Sequence, residues 1–163
     1  MKQIIHRREL RADDVRYLEE EAAPGFRHAI SVAQFLSAVA EGQSSSDVIV
    51  MAPTDEVESL APYLSRLTLI VVDFPKVGEG RGFTQARLLR QRFHFAGELR
   101  ARGALKRDQL FFLARCVFDS FQLDDSENLE AALSAFNTFS VAYQDGVESL
   151  VHVKRRDSGL STA

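Results

Sequence analysis

The sequence predicts an α/β fold, built on a four-stranded, mainly parallel sheet with alternating helices. Residues 47–139 alternate between short apolar runs of strand length and longer segments with apolar residues at helical spacing. The run LTLIVVDFP is almost continuously apolar, which is typical of a strand buried on both faces of a parallel sheet. The pattern fits either an open, Rossmann-like sheet or a curved sheet that forms part of a (β/α) barrel, and four strands are too few to close an eight-stranded barrel.

The predicted domain spans residues 1–143 and begins with a head, residues 1–42. In the head, KQIIH predicts a strand, RRELRADD a charged turn or loop, and ISVAQFLSAVAEG a capping helix. Ser31 stands at the start of this helix and Gln34 follows three residues later, which is the spacing of a capping box. The tail, residues 144–163, is predicted to be partly disordered.

The body of the domain, residues 47–139, is predicted to alternate strands with helices. The four predicted strands are DVIVMAP, LTLIVVDFP, GELRARG and DSFQL. Thr54 is expected to cap the helix after the first strand, and Pro62 is expected to kink or split that helix. Thr84 and Asp108 are the expected caps of the next two helices, and a last helix begins near residues 124–126.

Composition and charge narrow the classes of function. The 163 residues, 45% apolar and 26% charged with a net charge of −3, suit one globular domain and do not provide a basic field for nucleic acid. A single cysteine excludes an internal disulfide framework and a multi-cysteine metal or iron–sulfur site within one chain. Because the sequence shows neither a signal peptide nor an apolar stretch of the ~20 residues that span a bilayer, we expect a cytoplasmic protein without membrane partners.

The loop after LTLIVVDFP is the first candidate site, because ligands of parallel sheets bind at the carboxyl ends of the strands. Asp73 closes the buried strand, where a carboxylate needs a partner or a task. Gly80 and Gly82 allow a ligand to approach the backbone, and Arg81 supplies a planar fork for an oxyanion. The next helix, beginning near Thr84, directs free N–H groups toward the loop. The third glycine of the dinucleotide fingerprint is missing, so a plain tight turn and an anion site are both open interpretations.

Two further segments contribute basic side chains. In GELRARG, the side chains of Glu98, Arg100 and Arg102 share one side of the predicted strand. The strand is therefore either an edge with a solvated face, or it faces a cleft in which its arginines join Arg81 to form a cationic pocket. Arg107 lies where a helix begins, and a basic residue there opposes the helix dipole unless a ligand requires it.

Residues 74–123 resemble a bacterial family whose domain has no assigned function. The resemblance rests on the motifs FPKVGEGRGF, ARLLR, GELRA, RDQLFF and RC-x-FD. The genes of that family commonly sit beside assimilatory sulfite reductase, and its members are often labelled as oxidoreductases of sulfite reduction. The resemblance implies sulfite reductase as a partner, but it supplies no catalytic residues. The sequence departs from the family pattern at Val77, where an aromatic residue is usual, and at Val117, where glycine is usual.

Three functions are compatible with the sequence. The first is an accessory protein of assimilatory sulfite reduction, which binds a small oxyanion or the reductase itself through an arginine-rich loop face. The second is a (β/α)-type enzyme acting on a small phosphorylated or sulfated substrate, with Asp73 or Asp108 as the acid–base group. The third is a structural module without catalytic activity. No metal site and no cofactor is evident, and the candidate ligand-binding residues are Gly80, Arg81, Gly82, Thr84, Arg100, Arg102 and Arg107.

Overall fold

The structure, a computed structural model, describes residues 2–17, 20, 23–115 and 117–138. Within these residues, eight strands form one sheet: β1 (Gln3–His6), β2 (Glu9–Ala12), β3 (Val15–Arg16), β4 (Arg27–Ser31), β5 (Val48–Met51), β6 (Leu69–Phe74), β7 (Glu98–Gly103) and β8 (Ser120–Gln122). The predicted tail, residues 144–163, lies outside the described residues, so its predicted disorder stays a prediction.

Five helical segments accompany the sheet in the described part of the chain. They are α1 (Val32–Ala40), a 3₁₀ helix (Val57–Arg66), α2 (Arg81–Arg87) with a π-helical continuation (Leu88–Arg92), α3 (Leu110–Arg115) after a 3₁₀ turn (Arg107–Gln109), and α4 (residues 129–138). Each of the four predicted body strands is present, as β5 to β8. None of these helices has both the length and the apolar character that a bilayer crossing requires.

The sheet has eight strands, so the prediction of a four-stranded sheet is wrong. The segment RRELRADD, predicted as a loop, contains β2, which pairs antiparallel with β1. The very short β3 and the mixed segment RHAIS of β4 are the other strands that the sequence did not indicate. Periodicity fails for them because they are short and carry polar side chains on strands that pair near the edge of the sheet.

Strands β3 to β8 lie side by side in chain order, and each neighbouring pair is parallel. The predicted α/β class and the mainly parallel pairing are therefore confirmed. A Rossmann sheet reverses its strand order at a switch point, and these six strands contain no reversal. The order is instead that of a curved (β/α) sheet. The hairpin of β1 and β2 is added antiparallel beside β8.

Only two residues, Asp13 and Asp14, separate the two edge strands of the sheet. β2 pairs with β1 at one edge, and β3 pairs with β4 at the other. Two intervening residues span at most roughly 11 Å, so the edges must approach each other and the sheet curls around an interior. Backbone hydrogen bonds from Asp13 to the carbonyl of Lys2, and from Arg27 to the carbonyl of Asp14, continue the pairing on both sides of this link.

Alternate residues of the strands face two different environments. One side packs on the helices and forms the main core, which includes Ile49, Ile70, Val72, Leu99 and Phe121. The other side faces the interior of the curled sheet, where a small apolar cluster contains Val15, Tyr17, Ala29, Val48, Leu69 and Val71. The interior is therefore apolar beside β4 to β6 and receives the charged residues of β7 at its other side.

Local signals predicted some helix starts and not others. The capping box of Ser31 and Gln34 is confirmed, because the Ser31 hydroxyl accepts from the Gln34 N–H and the Gln34 side chain accepts from the Ser31 N–H. Pro62 lies in a helix of 3₁₀ type, which agrees with the expected disruption of an α-helix. The expected cap at Thr54 is wrong, since this helix begins after Glu56 and no side chain caps it.

The caps expected at Thr84 and Asp108 are also wrong. α2 begins one turn earlier than expected, at Arg81, which leaves Thr84 inside the helix. The 3₁₀ turn before α3 begins at Arg107, after Lys106, so Asp108 lies within its first turn. The early start of α2 places Gly82 inside the helix, where it is buried against the Phe74 ring and a Cβ atom would clash.

Candidate functional site

The predicted anion loop after β6 lies on the exposed carboxyl side of the sheet. The Arg81 side chain is 66% exposed, and its nearest ion-pair partner is Glu79, 3.9 Å from Nε. Gly80 and Thr84 are also exposed. Gly82 is buried, and a Cβ atom there would lie 2.6 Å from Cζ of Phe74. Close packing of helix on strand therefore explains Gly82 without a ligand.

Arg107 and Asp108 lie on the 3₁₀ turn that precedes α3, and both are exposed. Together with Phe111, Ala135 and Phe136 they line a groove of about 240 Å³ between this turn and α4. The predicted residues of this segment therefore border a groove that is separate from the loop of Arg81.

Arg100 lies in the interior of the curled sheet, where its side chain is only 2% exposed. Its Nη1 atom donates to Oδ1 of Asp13 at 2.8 Å, and its Nη2 atom donates to Oε1 of Glu98 at 3.3 Å. Its Nε atom donates to the hydroxyl of Ser120 at 3.3 Å. The guanidinium charge is therefore balanced by two carboxylates before any ligand arrives.

Tyr17 fills the interior next to Arg100. Its hydroxyl donates to Oε1 of Gln122 at 2.6 Å and lies 3.4 Å from Nη1 of Arg100. The guanidinium carbon of Arg102 lies 3.8 Å from the centre of the Tyr17 ring, which is a cation–π contact. Burial raises the pKa of the Tyr17 phenol above its usual value, against the opposing effect of the Arg100 charge.

Two ionisable groups of the interior, Glu98 and Arg100, favour their charged forms. Burial alone would raise the pKa of Glu98, but the hydrogen bond from Ser120 and the positive charge of Arg100 outweigh it and lower the pKa. Burial likewise opposes the charge of Arg100, yet Tyr17 and Asp13 hold its pKa above the usual value. The result is a fixed, internally neutralised cluster rather than an open cation.

The structure brings two of the predicted arginines together and leaves the other two apart. Arg100 and Arg102 share the inner face of β7, and Asp73 on β6 stands in register with Arg102. β7 lies between β6 and β8, so the interpretation of this strand as a solvated edge is wrong. Arg81 and Arg107 lie on exposed segments outside the sheet.

A pocket of about 550 Å³ lies at the amino end of β7 and β8, away from the loops predicted as the site. Its polar lining comes from His6 and Arg7 of the first hairpin, Arg90 of the π-helical turn, Glu98 and Asp119. His6 Nδ1 is buried without a hydrogen bond and lies 3.6 Å from Oε1 of Glu98. We call this the amino-end pocket. The described residues contain no cluster of three His, Cys, Asp or Glu side chains that could hold a metal ion.

Arg90 fixes one wall of the amino-end pocket. Its Nη1 atom donates to the carbonyls of Phe95 and Gly97 at 2.6 and 2.7 Å, and its Nη2 atom donates to Oδ2 of Asp119 at 2.5 Å. The same Asp119 oxygen also accepts from the Leu99 N–H at 2.9 Å. Arg90 and Asp119 therefore hold the wall in shape and satisfy each other's charge.

Unusual backbone conformations cluster around this pocket. Arg7, Arg8 and Val117 have positive φ angles of 45°, 70° and 75°, and two of them, Arg7 and Val117, line the pocket. For a β-branched residue such as Val117 this conformation is an outlier. Strain of this kind persists only where surrounding structure imposes it, and it is concentrated at functional sites.

A second feature is an aromatic surface between α2 and α3. Phe112 is 53% exposed, and its ring packs on Phe83 with 5.0 Å between centroids. Phe83 packs in turn on Phe74 at 5.1 Å, and Phe74 on Phe118 at 5.9 Å. An aromatic chain therefore leads from the main core to an exposed ring.

Comparison with known proteins places the chain in a family. The profile of a family described as a bacterial protein of unknown function (DUF934) matches residues 48–152, which is well over half of the sequence. Among curated proteins, none matches at a significant level. The matched range contains β5 to β8, the loop of Arg81 and the aromatic surface. The chain therefore belongs to the DUF934 family of bacterial proteins.

Proposed function

We propose that the protein is an accessory protein of assimilatory sulfite reduction, which binds the reductase through the surface between α2 and α3. We define this α2–α3 surface by Arg81, Phe83, Arg87 and Phe112. The pathway comes from the family resemblance, and the mode of action rests on one observation, the exposed Phe112 ring held on Phe83.

The composition of the α2–α3 surface suits a protein partner. Aromatic residues and arginine dominate the binding energy of protein interfaces, because they bury a large area and lose little conformational freedom. Phe112 is already positioned by its contact with Phe83, so binding would not have to immobilise it. Arg87 is exposed one helical turn after Phe83, and Arg81 is exposed at the start of the same helix.

The geometry supports this function better than an oxyanion site or an enzyme that uses the predicted residues. An anion site built from Arg81, Arg100 and Arg102 requires three unpaired charges around one cavity. Arg100 is instead neutralised inside the sheet, and Arg81 is exposed at the start of α2. The enzyme alternative assigns acid–base chemistry to Asp73 or Asp108, and Asp108 lies on the exposed turn before α3.

Binding to purified assimilatory sulfite reductase tests the proposal directly. We expect Phe112→Ala to weaken the complex by about 30-fold or more, as truncation of an interface anchor does. Arg81→Ala is expected to slow association and to reduce its dependence on salt concentration. Affinity and association rate are measured by biolayer interferometry, with the reductase immobilised and the salt concentration varied.

Arg92→Ala is the matched control for Arg81→Ala. The Arg92 side chain is 63% exposed and lies 3.4 Å from Glu58, so it resembles Arg81 in exposure and pairing but belongs to a different region. Its removal should leave the affinity unchanged. The proposal fails if the wild-type protein does not bind the reductase, or if a folded Phe112→Ala variant binds as tightly as the wild type.

A further inference from the structure

We propose that the amino-end pocket binds a small zwitterion of the amino-acid class with an apolar side chain. This inference concerns the opposite end of the sheet from the loop of Arg81, and it goes beyond the proposed docking function. It rests on one cation, one carboxylate oxygen and one apolar trough that meet at the same place.

Arg7 supplies the cation. It lines the pocket and is exposed, and among the described residues no hydrogen bond or ion pair engages its guanidinium group. The other arginine of the pocket, Arg90, is fully occupied by Asp119 and two backbone carbonyls. Within the described part of the chain, Arg7 is therefore the arginine of the pocket that can hold a carboxylate in a bidentate geometry.

Glu98 supplies the opposite charge. Its Oε1 atom accepts from Ser120 and Arg100, whereas no hydrogen bond or ion pair of the described residues engages Oε2. The lowered pKa of this carboxyl keeps it ionised near neutral pH. His6 Nδ1, 3.6 Å from Oε1, stands beside it as a further polar group of the wall. A ligand ammonium group directed at Oε2 would complete the coordination of the carboxylate.

A trough of about 450 Å³, lined mainly by apolar residues, adjoins the pocket at Ala96 and Gly97, which line both cavities. Its other walls are apolar at Pro62, Leu64, Leu67, Phe93 and Phe95 and polar at Ser65 and His94. A ligand held by its charged end in the polar pocket can extend an apolar side chain into this trough. Apolar burial then adds affinity at about 25 cal/mol per Å² of area removed from water.

The backbone at Arg7 provides independent support. The two-residue loop between the paired residues His6 and Glu9 has positive φ at both Arg7 and Arg8, which makes it a type I′ turn. Such turns strongly favour Asn-Gly or Gly-Gly, because other residues are strained there. Two arginines in this turn place a cation at the pocket at the expense of local stability.

Three ligands test the inference with the 163-residue chain, and two of them each lack one charge of the first. L-phenylalanine carries both charges, 3-phenylpropionate lacks the ammonium group, and phenethylamine lacks the carboxylate. We expect isothermal titration calorimetry to show binding of L-phenylalanine that is about tenfold or more tighter than that of either analogue, since each lost hydrogen bond between charged groups removes about this factor.

Two arginine variants locate the binding site. Arg7→Gln should reduce the affinity for L-phenylalanine about tenfold and leave that for phenethylamine unchanged, because only the carboxylate contact is lost. Arg11→Gln removes the same charge from exposed strand β2 outside the pocket and should change neither affinity. The inference is overturned if none of the three ligands binds, if 3-phenylpropionate binds as tightly as L-phenylalanine, or if Arg11→Gln acts like Arg7→Gln.

Discussion

The guanidinium of Arg100 lies 2.8 Å from the carboxylate of Asp13, and the two side chains are only 2% and 1% exposed. This ion pair connects Asp13, which lies between edge strands β2 and β3, to strand β7 in the middle of the sheet. Among the described residues, Asp13→Ala leaves Arg100 with Glu98 as its single carboxylate partner, at a buried position. We expect a loss of about 3–5 kcal/mol in the free energy of unfolding, measured by urea denaturation.

Asp14→Ala is the control for that measurement. Asp14 is the next residue in the same link, its side chain is 52% exposed, and its ion pair with Arg27 is 3.9 Å long. Its removal should cost no more than about 1 kcal/mol. Equal losses for the two variants would show that chain geometry at the link, and not the buried charge pair, determines the stability.

The lowered pKa of Glu98 predicts how the free energy of unfolding depends on pH. Its pKa is lower in the folded protein than the usual value, so the unfolded chain binds the proton more readily. The contribution of Glu98 is therefore present above the unfolded pKa near 4.5 and is lost as the pH falls through the folded pKa. We expect the difference in unfolding free energy between the wild type and Glu98→Gln to be largest near neutral pH and to shrink in acid.

Urea denaturation of both proteins between neutral pH and pH 3 provides this comparison. Glu20 and Asp124 also have lowered pKa values, and they contribute equally to both proteins, so the difference isolates Glu98. A difference that stays constant over the whole range would contradict the assigned ionisation.

Two glycines of the predicted anion loop should respond differently to substitution. A Cβ atom at Gly82 would lie 2.6 Å from the Phe74 ring, whereas a Cβ atom at Gly80 meets nothing within 4 Å. Gly82→Ala should therefore destabilise the free protein by about 1–3 kcal/mol through overpacking. Gly80→Ala should change the stability by no more than about 0.5 kcal/mol. Thermal unfolding without any ligand distinguishes this packing role from a binding role, in which both variants would fold normally.

In the turn of the first hairpin, the residues that would favour stability differ from those that we propose for ligand binding. Replacing Arg7 and Arg8 together by Asn and Gly gives the type I′ turn its preferred residues and should raise the free energy of unfolding by about 1 kcal/mol. The same variant should lose the binding of L-phenylalanine to the amino-end pocket. A variant that is less stable than the wild type would show that the arginines support the hairpin, for example through the contact of Arg8 with the Phe136 ring at 5.7 Å.

The elements that the sequence predicted correctly are those with a local signal. The apolar run of β6 and the capping box of Ser31 and Gln34 each specify a structure within a few residues, and both are confirmed. The closure of the sheet has no such signal, because it depends on where two edge strands lie after six others have been placed.

The same difference between local and long-range signals applies to the candidate site. The alternation of side chains along β7 correctly predicted that Arg100 and Arg102 share one face of the strand. The hydrogen-bond partners Asp13 and Ser120 of Arg100 are distant in sequence, so the alternation could not predict them. The rule that ligands bind at the carboxyl ends of parallel strands predicts a site at the opposite end of the sheet from the amino-end pocket. One sequence signal did lie there, since Val117 stands where the resembling family usually has glycine, and its φ angle of 75° is a conformation that glycine adopts readily.

The position of the first hairpin beside the last strand has a consequence for biosynthesis. Ile5 pairs with Phe121, and Tyr17 bonds to Gln122, so the amino-terminal residues find their neighbours only after nearly the whole domain has left the ribosome. β1 and β2 can pair with each other earlier, but until then the other edge of β1 lacks its partner strand and Asp13 lacks Arg100. We therefore expect β1 and β2, which precede the other strands of this sheet in the chain, to dock last and to be accessible to chaperones until then.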